Sequence, residues 1–190
     1  MLVIVRHGQT AANAEGLLLG RADPPLTDLG RRQAAALAAA LPRPARVVSS
    51  PLGRAKETAA AFGHPVEVDD RWVELDYGGL DGVHPDAVGG EMWARWRADP
   101  RFVPAGGESL HQLGTRVREA CGELAPMAAD QDVVVVTHVS PIKAAVAWAL
   151  GVGDEVAWRL FVADASVCRV ALRPEGPALV AFNHQYPPPA

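Results

Sequence analysis

The sequence predicts an α/β protein: a three-layer α/β/α sandwich around a mostly parallel central sheet. Three observations point to it. Short runs of β-branched residues alternate with longer segments of helical period. Two of those runs, Leu2-Val3-Ile4-Val5 and Val133-Val134-Val135-Val136, are apolar at every position. That is the pattern of a strand covered on both faces. A length of 190 residues, 49% of them hydrophobic, suits one domain with a substantial core.

Taken in order, residues 2–6 read as a central strand, and the Gly-, Asn-, Asp- and Pro-containing stretch 7–26 as a long loop. Thr27 precedes a helix marked by Leu29, Gln33, Leu37 and Leu41, which Pro42 and Pro44 end. Val47-Val48 form a short strand running into Ser49-Ser50. Ser50 then caps a helix from Pro51 to about Phe62, with proline at its first position. Val66–Val68 is a third strand. Residues 76–90 are rich in Gly and Asp and read as irregular, followed by a short helix over Glu91–Ala98 with Trp93 and Trp96.

Ser109 caps a long helix to about Ala128, with Leu110, Leu113, Val117, Cys121 and Leu124 along one face. A strand over 132–137 ends at His138, and a helix runs from Pro141 to Leu150. Two last strands, Ser166–Leu172 and Ala178–Phe182, flank the turn Pro174-Glu175-Gly176-Pro177, and the Pro-rich tail 187–190 reads as loose. The whole chain, 1–190, is expected to be a single domain with a lid-like insertion at about 76–108.

Composition narrows the classes of function. A net charge of −4 and a pI near 5.8 argue against a nucleic-acid surface. No stretch has the roughly 20 apolar residues of a membrane span, and no secretory signal pattern opens the chain. Cys121 and Cys168 are widely spaced, so two buried thiols in a reducing, cytoplasmic compartment are expected. The chain holds 16 Arg and 2 Lys, so only arginines at special positions merit a role.

His7 and His138 each stand at the carboxyl end of a buried strand, where open α/β sheets place ligand sites. In Arg6-His7-Gly8, the glycine would let a ligand approach the backbone, and Asn13 adds a polar group; a histidine satisfying a loop hydrogen bond is the plainer alternative. The helix after Ser50 would offer free N–H groups to an anion, and Arg54 on its first turn a bidentate fork, unless it is a surface arginine near a cap. Glu74 stands at an apolar strand end and could protonate a leaving oxygen; Asp76 competes for that role, and either could be a solvated loop carboxylate. His64, His84, His111 and His184 read as residues of turns and exposed helix starts. The chain lacks HxH, HExxH and CxxC spacings, and the arginines near both histidines oppose a cation, so no metal is expected.

An ordered set of motifs now accumulates. Arg6-His7-Gly8-Gln9-Thr10 with Asn13 comes first, then Leu26-Thr27-Asp28-Leu29-Gly30 and Ser49-Ser50-Pro51 through Arg54 and Thr58. Glu74 before Tyr77-Gly78-Gly79-Leu80-Asp81-Gly82, Gly106-Gly107-Glu108-Ser109 and His138 complete it. From residue 2 to about 183 this set resembles the histidine phosphatase superfamily, the phosphoglycerate mutase-like group. The resemblance implies a phosphoglycerate mutase-like fold and a phosphohistidine mechanism without cofactors. His7 would be the nucleophile, and Arg6, Asn13, Arg54 and His138 would hold the phosphoryl oxygens. Glu74 would be the acid for the leaving alcohol and then the base for water, giving a catalytic set of His7, Glu74 and His138. A nucleophilic imidazole must be neutral, which neighbouring cations favour, with the Gly8 carbonyl as an acceptor for its other nitrogen.

Two departures shape the expectation. Glycine commonly follows the second histidine in that family, whereas here Val139-Ser140-Pro141-Ile142-Lys143 follows. This stretch is similar to a phosphatase subgroup that includes the acid phosphatase domain fused to ribonuclease H in some bacteria. Leu75 follows Glu74 where the mutases carry an arginine. The expected activity is therefore hydrolysis of a small phosphorylated metabolite by a metal-independent phosphatase, with no nucleic acid or membrane partner. Mutase-type phosphoryl transfer is the alternative, and a non-catalytic phospholigand-binding module ranks lower. Trp93 and Trp96 either stack on a ring substrate or pack a helix, and an edge strand is available for a homodimer.

Overall fold

The computed structural model describes residues 1–188, and the two all-apolar runs lie side by side at the centre of its sheet. In chain order the elements are β1 (Leu2–Arg6), α1 (Ala11–Ala14), α2 (Asp28–Ala40), β2 (Arg46–Ser49), α3 (Gly53–Ala60) and β3 (Val66–Val68). Then come α4 (Gly90–Ala98), α5 (Leu110–Asp130), β4 (Val133–Thr137), α6 (Val139–Leu150), β5 (Ser166–Arg173) and β6 (Gly176–Gln185). The 3₁₀ segments Asp70–Trp72, Gly78–Leu80, Pro85–Ala87 and Asp154–Arg159 lie between them.

The strand order is β3-β2-β4-β1-β5-β6. The pairings β2–β3, β2–β4 and β1–β4 are parallel, while β1–β5 and β5–β6 are antiparallel. The sheet is thus mixed, mostly parallel by pairing. The last two strands meet through a two-residue turn at Pro174-Glu175, which is too short to permit anything but an antiparallel return.

The all-apolar strands are explained by their two covers. Leu2, Ile4, Val133 and Val135 face a core built with α5 and α6, including Leu113, Val117, Cys121 and Ile142. The alternate residues Val3, Val5, Val134 and Val136 face Leu37 of α2 and Ala55 and Ala59 of α3. With period-2 side chains and a helical layer on each face, no position along these strands meets water. Helices α2 and α3 therefore lie on one side and α5 and α6 on the other, and a crevice opens at the carboxyl ends of β1 and β4.

Caps follow the sequence in two cases. Thr27 accepts from the Gly30 N–H, and Ser109 forms a reciprocal capping box with Gln112. Elsewhere the structure differs from expectation. Helix α3 begins at Gly53, not Pro51, because Asp23 from the preceding loop accepts from the Gly53 and Arg54 N–H groups. Helix α6 begins at Val139, two residues before Pro141, directly after His138. The 7–26 loop contains the one-turn helix α1, closed by Thr10 and Asn13. β6 extends to Gln185 and so takes in exposed His184, which was expected in a turn. The tail expected to be loose begins at Pro187 without regular structure, and its last two residues, Pro189 and Ala190, lie outside the described residues. Cys121 and Cys168 are both buried and unpaired.

The 76–108 segment is pinned at its base, where Gly78 N–H is held by the Asp76 carboxylate at 2.8 Å. A Cβ on Gly107 would come within 2.1 Å of the Asp76 carbonyl oxygen, so the two ends of the segment pack backbone to backbone.

Candidate active site

Arg6 and Thr137 form the last register pair of β1 and β4, so His7 and His138 leave the sheet as neighbours. Their ring centroids are 5.0 Å apart and both side chains are buried. The His7 main chain is anchored on both sides, its N–H on the Thr137 carbonyl at 2.9 Å and its carbonyl on the Ala165 N–H at 3.2 Å. Its ring is oriented by Nδ1, which donates to the Gly8 carbonyl at 2.7 Å. That bond leaves Nε2 as the unprotonated nitrogen, and Arg54 Nε donates to it at 3.2 Å. Burial, followed by the charges of Arg6 and Arg54, holds the His7 pKa well below the ordinary imidazole value. The ring is therefore neutral, with one lone pair toward a guanidinium.

Gly8 has a different reason from the one expected. A Cβ there would lie 2.3 Å from the Gly30 carbonyl oxygen, and one on Gly30 would lie 2.2 Å from the Gln9 carbonyl oxygen. The two glycines let the loop after β1 pack on the first turn of α2, so the close approach is to protein backbone and not to a ligand. Thr58 completes the anchor by accepting from the Gly8 N–H at 3.1 Å.

Arg54 is buried and heavily engaged. Beyond His7, its Nη1 donates to the Ala22 carbonyl at 2.6 Å and to Asp23 at 3.4 Å, and its Nη2 to the Gly20 carbonyl at 2.9 Å. The α3 N-terminus expected to receive an anion is occupied by Asp23, since that loop carboxylate satisfies the first free N–H groups. Asp81 in turn accepts from the Gly20 and Ala22 N–H groups, each at 2.8 Å, and so fixes the loop that holds Arg54.

His138 shares a 2.7 Å hydrogen bond between Nε2 and the Ser50 hydroxyl, which already accepts from the Leu52 N–H. With the hydroxyl as donor, the proton of a neutral ring sits on Nδ1, which is buried and unpartnered among the described residues. Burial, then the neighbouring His7, Arg54 and Arg6, pushes the His138 pKa well down. Arg6 donates to the Val162 carbonyl and pairs with Asp164, both at 2.8 Å, leaving its buried Nε without a partner. Two buried donors beside His7 are thus unsatisfied, which is what an anion site requires before its ligand arrives.

Glu74 is buried where the Ser140 and Leu75 N–H groups donate to its carboxylate at 3.1 and 2.6 Å. A cavity of about 400 Å³ opens between it and His7. Arg6, His7, Asn13 and Glu74 all line that cavity; Arg54 and His138 stand outside its lining. Asp76, the competing carboxylate, is outside it too, since its side chain caps the Gly78 turn. Asn13 Oδ1 is engaged by Thr10, so the amide nitrogen is the end left for a ligand. Trp93 and Trp96 stack on each other at 5.4 Å, with Trp158 edge-on to both, so they pack together as well as forming cavity wall. Among the described residues no group of three His, Cys, Asp or Glu side chains is placed to hold a metal ion.

Asp23, Asp81, Asp164 and Ser140 were not legible as site residues. Each acts on a partner distant in sequence; Asp81 lies inside the Tyr77–Gly82 motif, but nothing local shows that it holds the loop around Arg54. Ser140 alone had a signal, because a residue just after a strand end enters a helix with a free N–H.

A nucleophilic ring, an arginine with an unsatisfied donor and a carboxylate around one cavity, with a second buried imidazole behind the ring, suit transfer of an anionic group. Residues 2–185 match the model of the histidine phosphatase superfamily, branch 1. The chain belongs to that family. It is 36% identical to the bifunctional protein Rv2228c of Mycobacterium tuberculosis over 97% of its own length and 53% of that protein's. The chain thus spans about half the length of that curated relative. It is 38% identical to a glucosyl-3-phosphoglycerate phosphatase of Mycolicibacterium vanbaalenii, over 79% of this chain and 74% of that one. Among solved structures, mycobacterial glucosyl-3-phosphoglycerate phosphatase Rv2419c with VO3 superposes with a TM-score of 0.86 at 31% identity, covering 97% and 99% of the two chains. A phosphoserine phosphatase from Entamoeba histolytica with 3-phosphoglyceric acid shares the fold, with a TM-score of 0.90 at 23% identity over 97% and 96% of the chains. Among the described residues no helix is long and apolar enough to cross a membrane.

Proposed function

We propose that this chain is a metal-independent phosphatase that hydrolyses small phosphomonoesters through a phosphohistidine on His7. The observation that carries the reading is the state of that ring: neutral, with Nδ1 committed to Gly8 and Nε2 free of a proton beside Arg54. Nε2 attacks phosphorus in line, the ester P–O bond breaks, and Glu74, as general acid, passes a proton to the departing alkoxide. The Glu74 carboxylate then takes a proton from water, the water oxygen attacks phosphorus, and the P–N bond breaks to release phosphate and neutral His7. As the P–N bond forms, Arg54 Nε–H is freed from Nε2 and turns to a phosphoryl oxygen. Arg6 Nε, His138 Nδ1 and the Asn13 amide supply further donors, the apparatus that phosphoryl transfer chiefly needs.

The reading takes residues 1–190 as one catalytic domain. Segment 76–108 serves as its lid, since Tyr77, Pro85, Trp93 and Trp96 form cavity wall. The substrate is a small phosphorylated metabolite, as phosphoserine phosphatase and glucosyl-3-phosphoglycerate phosphatase are the names its relatives carry. The same reading places the protein in the cytoplasm, where two buried thiols stay reduced, with an edge strand available for a homodimer.

Rapid quench with phenyl phosphate tests the mechanism. Wild type is expected to yield an acid-labile phosphoenzyme, unaffected by a chelator, and His7→Ala to yield none and to lose about a thousandfold in turnover. Full turnover by His7→Ala would sink the covalent route. Isomerisation of 3-phosphoglycerate outrunning phosphate release would make the protein a mutase instead.

A further inference from the structure

The 400 Å³ cavity extends well past the reacting groups, and its far wall has a distinct chemistry. Leu17, Leu18, Trp93, Trp158, Phe161 and Val162 present apolar surface. Phe161 stands at 74% exposure, a large apolar ring left in water. Helix α6 adds a cation to the lining of the same cavity, Lys143, on its second turn. Lys143 is half-buried, has no ion pair or hydrogen bond among the described residues, and feels Glu74 only through space. Burial first, opposed by Glu74 and reinforced by Arg6, draws its pKa down. The other basic side chain of the lining, Arg6, is already paired with Asp164.

A half-buried ammonium that lines a cavity with aromatic walls and makes no ion pair is free to pair with an anionic ligand there. The Tyr77 hydroxyl in the same lining is shared with Ser140 at 3.3 Å. A body rich in hydroxyls would find few partners on this wall, leaving them desolvated and unpaired.

We propose that Lys143 is a specificity-determining residue that receives a carboxylate on the body of an otherwise apolar phosphomonoester. This rests on the phosphatase reading above, with the phosphoryl group at His7 and the body lying toward Trp158 and Phe161. The substrate class is thus a carboxylate-bearing aryl or alkyl monophosphate, in preference to a sugar phosphate.

The test compares (carboxymethyl)phenyl phosphates, meta and para, with methylphenyl phosphate, whose leaving groups are alike, and with glucose 6-phosphate. For wild type, kcat/KM for one carboxylated isomer is expected to exceed that for methylphenyl phosphate by about tenfold, the size of a charge-assisted contact. Lys143→Met should bring the ratio toward one, while Lys143→Arg should retain part of it. Calorimetric binding to His7→Ala should show the same ordering of Kd. Phosphate release by wild type without discrimination would overturn the proposal. So would an equal loss on both aryl esters in Lys143→Met, which would mean that the lysine acts through Glu74, and so would a preference for glucose 6-phosphate. If wild type hydrolyses none of the esters, the phosphatase reading fails, and the binding order with His7→Ala still decides the role of Lys143.

Discussion

Glu74 accepts two main-chain N–H bonds at the edge of the cavity that His7 also lines. Those bonds fix its direction toward the cavity, so the role proposed for it is proton transfer and not movement. Replacing it with glutamine keeps the shape and removes proton transfer. Glu74→Gln is expected to lose about a hundredfold on an alkyl phosphate, whose leaving oxygen needs a proton, and far less on 4-nitrophenyl phosphate. Steady-state kinetics on the two esters checks this, and an equal deficit on both would remove Glu74 from the acid role. At this level the sequence was informative about residue type and strand-end placement. Between Glu74 and Asp76 it left a choice, because two carboxylates two residues apart look alike until one is seen to cap a turn.

The loop before α2 and the start of α3 act together. Asp23 caps α3 and meets Arg54, whose Nε meets His7, so one carboxylate joins the helix terminus to the nucleophile. Asp23→Ala removes the acceptor of two helix N–H groups and is expected to lower stability by about 1 kcal/mol. It also loosens Arg54, so kcat for an aryl phosphate should fall by about tenfold while KM moves less. Denaturant titration and kinetics of the same variant check both parts, and lost stability with unchanged kcat would leave Asp23 as a cap alone. The sequence placed α2, β3 and α5 within a residue or two because proline, glycine and caps are local signals. It misplaced the starts of α3 and α6, since one is capped by Asp23 from a distant loop and the other follows His138 directly, with its Ser140 N–H taken by Glu74.

Two buried imidazoles also set a property of the whole molecule. Burial, aided by the surrounding arginines, holds His7 and His138 neutral in the folded state. Below about pH 6.5 the unfolded chain protonates both rings while the folded chain resists. Stability contributed by these groups is therefore complete above that pH and declines as pH falls, by up to about 1.4 kcal/mol per pH unit per ring. Denaturant unfolding at pH 7.5, 6.5 and 5.5 should show the decline, and a His7→Gln, His138→Gln double variant should flatten it. An unchanged slope in that variant would assign the effect to other groups. The strands, their two-sided burial and the strand-end histidines were all written in local residue pattern, because hydrophobic period and chain breakers act over a few residues. The neighbourhood of His7 and His138 was not, because it depends on β4 inserting between β2 and β1. Nor were the grip of Asp23 on Arg54, the packing reason for Gly8 or the solitary charge of Lys143, since contacts between distant segments exist only once the sheet is assembled.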